Sequence, residues 1–92
     1  MSRLIEKARE EITKTDEEIV QLLRRRMNLV LEIGRLKNEH GLPIRDDIRE
    51  RKVLDHIRDI ADEPLQKDEL VSLFRRIIEM CRNAQMRTRT SS

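Results

Sequence analysis

The sequence predicts an all-α fold of three helices, one long and two shorter. Apolar residues recur at helical spacing in three segments, which the stretch Gly41-Leu42-Pro43 and Pro64 separate. Charged residues supply 41% of the 92 residues, and only Phe74 is aromatic. Such a short, charged chain buries little apolar surface by itself, so we expect it to complete its core by association.

The first helix is predicted from about Leu4 to Glu39, and the glycine and proline after His40 end it. Gly34 lies inside this helix and predicts a close approach of another helix rather than a break. One face carries an apolar stripe formed by Ile5, Ala8, Ile12, Ile19, Leu22, Leu23, Leu29, Val30, Ile33 and Leu36.

The second helix is predicted to begin near Asp46-Asp47 and to continue to about Ala61. Asp47 and Glu50 have the spacing of a capping box. The stripe of this helix contains Glu50 among apolar residues. A polar residue on that face either caps the helix or points into a shared interior.

The third helix is predicted from about Lys67 to Met86, and its stripe includes Cys81 and Gln85. The predicted domain therefore covers residues 1–86. Residues 87–92 show no apolar periodicity, so we expect a disordered C-terminal tail there.

Composition narrows the functional class. The net charge is +2, from 20 basic and 18 acidic residues, and this mixture suits solvated helix faces better than a nucleic-acid footprint. A single cysteine excludes an internal disulfide and fits a reducing compartment. The charged N-terminus does not resemble a signal peptide, and no apolar run reaches membrane-spanning length. We therefore expect a soluble, cytoplasmic protein with no nucleic-acid or membrane partner.

Every seventh residue of the first helix from position 5 to position 33 is isoleucine except Arg26. Arg9 and Lys37 border the same stripe. A guanidinium among isoleucines is costly to bury unless an anion meets it. One such arginine alone would more often extend its head to water. Three cations on one stripe, with Glu50 and Gln85 on the other two, favour a site for an anionic ligand.

Helix geometry predicts how these groups combine. Arg26 and Lys37 lie roughly 16 Å apart along the axis and on nearly one face, so both can reach one small molecule. Arg9 lies roughly 25 Å from Arg26 and cannot reach that molecule in its own chain. A second copy running antiparallel would bring Arg9 to the site, which favours a dimer with shared sites.

These residues resemble the all-α chorismate mutases, small intertwined dimers that convert chorismate to prephenate in aromatic amino-acid biosynthesis. The resemblance covers about Ile5 to Gln85, and its most specific stretch is Lys37 followed by Gly41 to Arg51. It implies that Arg9 is contributed by the partner subunit and that Arg26 binds a substrate carboxylate.

The resemblance implies further roles. Lys37 would contact the ether oxygen and a carboxylate, and Gln85 would donate to the ether oxygen. Asp46, Arg49 and Glu50 would hold the ring hydroxyl end. The expected catalytic set is therefore Lys37, Gln85, Arg26 and Glu50, with no metal or cofactor.

Cys81 departs from the family pattern, because relatives often carry a small hydroxyl or amide there. A thiol is a weak donor, so its contact with a substrate carboxylate is in doubt, although the backbone N–H could serve.

Three alternatives stay open. An isochorismate-pyruvate lyase shares this fold and much of the pocket, and sequence separates it poorly from the mutases. A helical dimerisation module without a ligand would use the cations only as side chains that extend to water. A nucleic-acid binder would use Arg24-Arg25-Arg26, Arg75-Arg76 and the tail, but acidic residues interrupt these runs and stacking aromatics are missing.

Overall fold

The computed structural model describes residues 2–90, and within that range it contains three α-helices and no strand. They are α1 (Ser2–Glu39), α2 (Asp47–Ile60) and α3 (Lys67–Thr90). The predicted all-α class and the three-helix order are confirmed. No helix in the described range is long and apolar enough to cross a membrane.

Gly41 ends α1 and turns the chain towards α2. Its φ is +66°, a left-handed conformation that glycine adopts without steric cost. The Gly41 N–H donates to the Asn38 carbonyl at 3.2 Å, and the Leu42 N–H donates to the Lys37 carbonyl at 2.8 Å. This pair of hydrogen bonds is a Schellman motif, and it folds the following loop back over the last turn of α1.

Asp46, rather than Asp47, caps α2. The Asp46 side chain accepts from the backbone N–H of Arg49 at 3.0 Å, as an N-cap residue does with the third residue of a helix. The capping box predicted between Asp47 and Glu50 is therefore absent: the N-cap lies one residue earlier, and the third residue of the helix is Arg49, which cannot return a hydrogen bond to it. Glu50 is left to make a different contact.

Helix α3 continues through residues 87–90, where we expected a disordered tail, so that part of the prediction was wrong. Within the extra turn, the Thr88 hydroxyl donates to the Ala84 carbonyl at 3.0 Å. Arg89 reaches the loop after α1 and donates to the Leu42 carbonyl at 3.3 Å. The helix therefore continues without an apolar repeat, and its last turn is joined to the loop after α1. Residues 91–92 of the predicted tail lie outside the described residues.

Helix α3 packs against both α1 and α2, and the core lies along α3. The buried apolar residues of the described range are few, and only Ile57 is large; they are Ile57, Ala61, Val71, Cys81 and Ala84.

Helix α1 contributes no buried residue to this core, and the isoleucines of its predicted stripe are about half exposed. The radius of gyration is 17.0 Å, against about 12 Å for a compact chain of this length. A single chain therefore leaves the apolar face of α1 without a partner.

Candidate active site

A cleft of about 160 Å³ lies where α3 faces the C-terminal half of α1 and the start of α2. Charged side chains and aliphatic residues line it together. The lining residues are Arg26, Val30, Ile33, Lys37, Ile44, Asp46, Arg49, Glu50, Val53, Ile78, Cys81, Arg82 and Gln85.

Seven of the eight residues predicted to bind substrate line this cleft, and Arg9 is the exception. The Arg9 side chain is 69% exposed and pairs with Glu6 on its own helix at 3.0 Å. The helix rise already placed Arg9 too far from Arg26 to share its ligand. Within one chain, the site is therefore built from α1, the connecting loop, α2 and α3.

Lys37 is held by the loop that follows its own helix. Its Nζ donates to the Ile44 carbonyl at 3.0 Å in a partly buried position. The Schellman turn at Gly41 brings this carbonyl back over the end of α1. An ammonium carries three donors, so two remain for a ligand. The fold thus directs the Lys37 cation towards the cleft.

Gln85 is the buried polar residue of the core, with 8% of its surface exposed. Its Nε2 donates to the Val30 carbonyl of α1 at 2.7 Å, which uses one of two amide hydrogens. Gly34 leaves room for this side chain, because a Cβ built there would lie only 3.1 Å from Gln85 Cγ and would push the side chain aside by a few tenths of an ångström. The close helix approach predicted at Gly34 is confirmed, and the residue that approaches is Gln85.

Arg26 and Cys81 form a second contact between α1 and α3. The Arg26 Nη1 donates to the Cys81 sulfur at 3.1 Å, and Cys81 is a buried free thiol. The thiol therefore acts as an acceptor that holds the guanidinium, whereas the sequence suggested only a weak donor to a carboxylate.

Arg82 lines the cleft although the sequence analysis did not select it. Its Nη1 donates to Glu50 Oε1 at 2.6 Å and so joins α3 to α2. Glu50 faces the interior shared by the helices, and its carboxylate is used for this pair rather than for capping α2. The only signal in the sequence is that Arg82 directly follows a stripe residue, as many solvent-facing arginines do.

The cleft carries more positive than negative charge. Four cations (Arg26, Lys37, Arg49 and Arg82) face two carboxylates (Asp46 and Glu50), an excess of two positive charges. In a cleft whose charged residues are half-buried or exposed, this excess favours an anionic ligand.

Beyond the cleft, Arg45 donates to Asp47 at 2.7 Å. This hydrogen bond lowers the pKa of the Asp47 carboxyl and raises that of the Arg45 guanidinium. Both side chains are exposed, so the pair marks the solvent edge of the loop and adds little to the site.

The fold and the cleft together define an all-helical protein whose cleft carries a net positive charge. The family model described as chorismate mutase type II matches residues 8–86, and the chain belongs to that family.

Particular relatives agree with this membership. The chain is 36% identical over 80 residues to the 4-amino-4-deoxychorismate mutase of Streptomyces venezuelae, covering 85% of this chain and 78% of that protein. It is 33% identical over 81 residues to the bifunctional chorismate mutase/prephenate dehydratase of Aquifex aeolicus, covering 84% of this chain. The chain spans only 22% of the length of that bifunctional protein.

Among solved structures, the chorismate mutase (form II) of Thermus thermophilus superposes with a TM-score of 0.87 and is 34% identical. The match covers 90% of this chain and 94% of that one.

Proposed function

We propose that this chain is a chorismate mutase that rearranges chorismate to prephenate in aromatic amino-acid biosynthesis. The observation that carries the proposal is the convergence of Arg26, Lys37, Glu50 and Gln85 from three helices on one cleft. The reaction is intramolecular: one C–O bond breaks while a C–C bond forms. It calls for positioning and for stabilisation of charge, and these side chains supply both. The buried free thiol of Cys81 fits a cytoplasmic enzyme.

The cations of the cleft position the substrate. Arg26 is held by Cys81 and presents the rest of its planar guanidinium to a carboxylate, for which its fork geometry is suited. Fixing both carboxylates holds the flexible enolpyruvyl arm over the ring, and this orientation lowers the entropic part of the barrier.

Lys37 and Gln85 stabilise the charge that develops on the ether oxygen. Each is already fixed by a backbone carbonyl, Ile44 for the lysine and Val30 for the glutamine. Lys37 keeps two donors and Gln85 keeps one that these carbonyls do not use. Donors held in place before the reaction need no reorganisation as the C–O bond breaks, and each is worth about 3 kcal/mol of transition-state stabilisation.

Glu50, Asp46 and Arg49 come from the start of α2 and its cap, and we place the ring hydroxyl at the end of the cleft that they line. Glu50 Oε1 accepts from Arg82, and the second oxygen can accept from the hydroxyl. Asp46 caps α2 through Oδ1 and keeps its other oxygen for the same end of the ligand.

We also propose that the working enzyme is a homodimer with shared sites. The apolar face of α1 has no partner within the chain, and the position of Arg9 excludes it from its own cleft. An antiparallel α1 from a second copy would cover this apolar face. It would also bring Arg9 of each chain to the cleft of the other chain.

The assay that tests the function follows the loss of chorismate absorbance and identifies the product. Prephenate as product supports the mutase. Pyruvate released from isochorismate, with no prephenate from chorismate, would favour the lyase. A chain that binds neither compound by calorimetry would favour the dimerisation module.

Gly34→Ala is expected to separate stability from activity. Alanine is favoured over glycine inside a helix by about 1 kcal/mol, so Tm should hold or rise. The new Cβ meets Gln85 Cγ, and the shifted carboxamide should lower kcat by about tenfold or more.

The control compares the double variant Gly34→Ala/Gln85→Ala with Gln85→Ala alone, because neither has a carboxamide at position 85 that the new Cβ could displace. There the glycine substitution should change kcat by less than about twofold. An equal loss in both backgrounds would show that Gly34 does not act through Gln85.

Cys81→Ser and Cys81→Val test the hold on Arg26. A serine hydroxyl can accept from the guanidinium, so KM for chorismate should change by less than about tenfold, or roughly 1.4 kcal/mol. Valine has a similar size but no acceptor, so KM should rise further while kcat changes less. Steady-state kinetics of both variants measure KM and kcat. Equal KM values for the valine and serine variants would show that the hydrogen bond from Arg26 to residue 81 does not support substrate binding.

A further inference from the structure

The ion pair between Arg82 and Glu50 differs from the surface pairs of this chain. Both side chains are about three-quarters covered, at 23% and 24% exposed, and the Nη1–Oε1 distance is 2.6 Å. The Arg76–Glu79 pair on the same helix α3 is 63% and 52% exposed. The Arg82–Glu50 pair lies inside the cleft, at the end where the proposed function places the ring hydroxyl.

We propose that Arg82 is a specificity-determining residue that favours a neutral hydroxyl over a charged amine at this end of the substrate. The inference rests on the proposed function and deepens it by naming the class of substrate that the cleft prefers. The competing compound is 4-amino-4-deoxychorismate, in which an amine on C4 replaces the ring hydroxyl of chorismate.

Charge is the basis of the selection. An aliphatic amine is protonated near neutral pH, so the competing compound presents an ammonium where chorismate presents a neutral group. A partly buried carboxylate standing alone would attract that ammonium. With Arg82 bound to Oε1, the pair is close to neutral, and an incoming cation meets the guanidinium as well as the carboxylate. The attraction to Glu50 is therefore largely cancelled, and at the same end of the cleft the Arg49 guanidinium offsets the charge of the Asp46 carboxylate.

A hydroxyl is affected differently by the same pair. It needs one acceptor lone pair, and the second oxygen of Glu50 still provides it. Donation from a hydroxyl involves no net charge, so the nearby guanidinium does not repel it. Arg82 thus weakens binding of the amine while leaving the hydroxyl its hydrogen bond.

The experiment compares kcat/KM for chorismate and for 4-amino-4-deoxychorismate at pH 7 in the wild type and in Arg82→Met. Methionine keeps much of the apolar stem and removes the charge. We expect the variant to shift the preference towards the amine by about tenfold or more, or roughly 1.4 kcal/mol. Arg82→Lys retains the charge and should keep the wild-type preference. Arg76→Met, which removes a paired arginine from the exposed side of the same helix, should not move the ratio.

The outcomes separate this inference from the proposed function. If Arg82→Met remains helical and lowers both kcat/KM values equally, Arg82 merely positions Glu50 and the inference is overturned, with the mutase activity intact. The inference is likewise overturned if Arg82→Lys shifts the ratio as far as methionine does. If the wild type turns over neither compound, the proposed function fails. Calorimetric affinities for the two compounds then decide whether Arg82 still selects between them.

Discussion

Replacing Lys37 with alanine is expected to lower kcat/KM for chorismate by about three orders of magnitude, or roughly 4 kcal/mol. The lysine ammonium is held by the Ile44 carbonyl and faces the cleft, where we place the breaking C–O bond. Its removal takes away a donor and a positive charge that act mainly in the transition state, so the loss should fall largely on kcat. Steady-state kinetics measure the loss, and circular dichroism should show an unchanged helical spectrum.

Arg24→Ala is the control for this prediction. Arg24 lies on the same helix, is exposed and does not line the cleft. Its removal should change kcat/KM by less than about threefold, since a surface charge is largely screened. Equal damage from the two variants would show that the effect of Lys37→Ala comes from lost helix charge rather than from a lost catalytic contact.

Mixing two inactive variants is expected to restore about a quarter of the wild-type activity. Arg9→Ala and Lys37→Ala homodimers each lack one group in both sites and should be nearly inactive. In a mixed dimer, both lesions fall in one site when Arg9 serves the partner's cleft. The other site is intact. Random exchange makes about half of the dimers mixed, each with one good site of two, provided that the sites act independently.

Unfolding and refolding an equimolar mixture performs the exchange, and a tag on one variant verifies by co-purification that mixed dimers form. If Arg9 served its own chain, every site would keep one lesion and the activity would stay flat. That result would overturn the shared site while leaving the site on each chain untouched.

Much of the fold and part of the site follow from helical periodicity, whereas Asp46, Arg49 and Cys81 were assigned to the site only through the family resemblance. Arg26 was conspicuous because isoleucine fills the equivalent positions of its stripe, and the structure places it in the cleft with Lys37. The predicted approach at Gly34 was located correctly because a mid-helix glycine usually has a packing reason. Periodicity assigns each residue to a face of its helix. Site residues that lie on the apolar faces can therefore be predicted from it.

Features that depend on contacts between helices or on loop geometry could not be predicted from periodicity. Arg82 is one of many arginines in the chain, and only the packing of α3 against α2 brings it to Glu50. The cap of α2 was misplaced because two successive aspartates offer nearly equal signals, and the loop geometry selects Asp46. The last turn of α3 was missed because it has no apolar pattern, and the contact of Arg89 with the Leu42 carbonyl joins segments far apart in the sequence.

The bare apolar face of α1 makes the stability of the proposed dimer a property of the solution as well as of the chain. No residue of α1 is buried within one chain, so a large part of the stabilising surface is available only when two chains meet. By mass action, the folded fraction then rises with protein concentration, and dilution removes structure and activity together. A ligand held by both chains opposes this loss, so substrate would preserve the assembly that converts it.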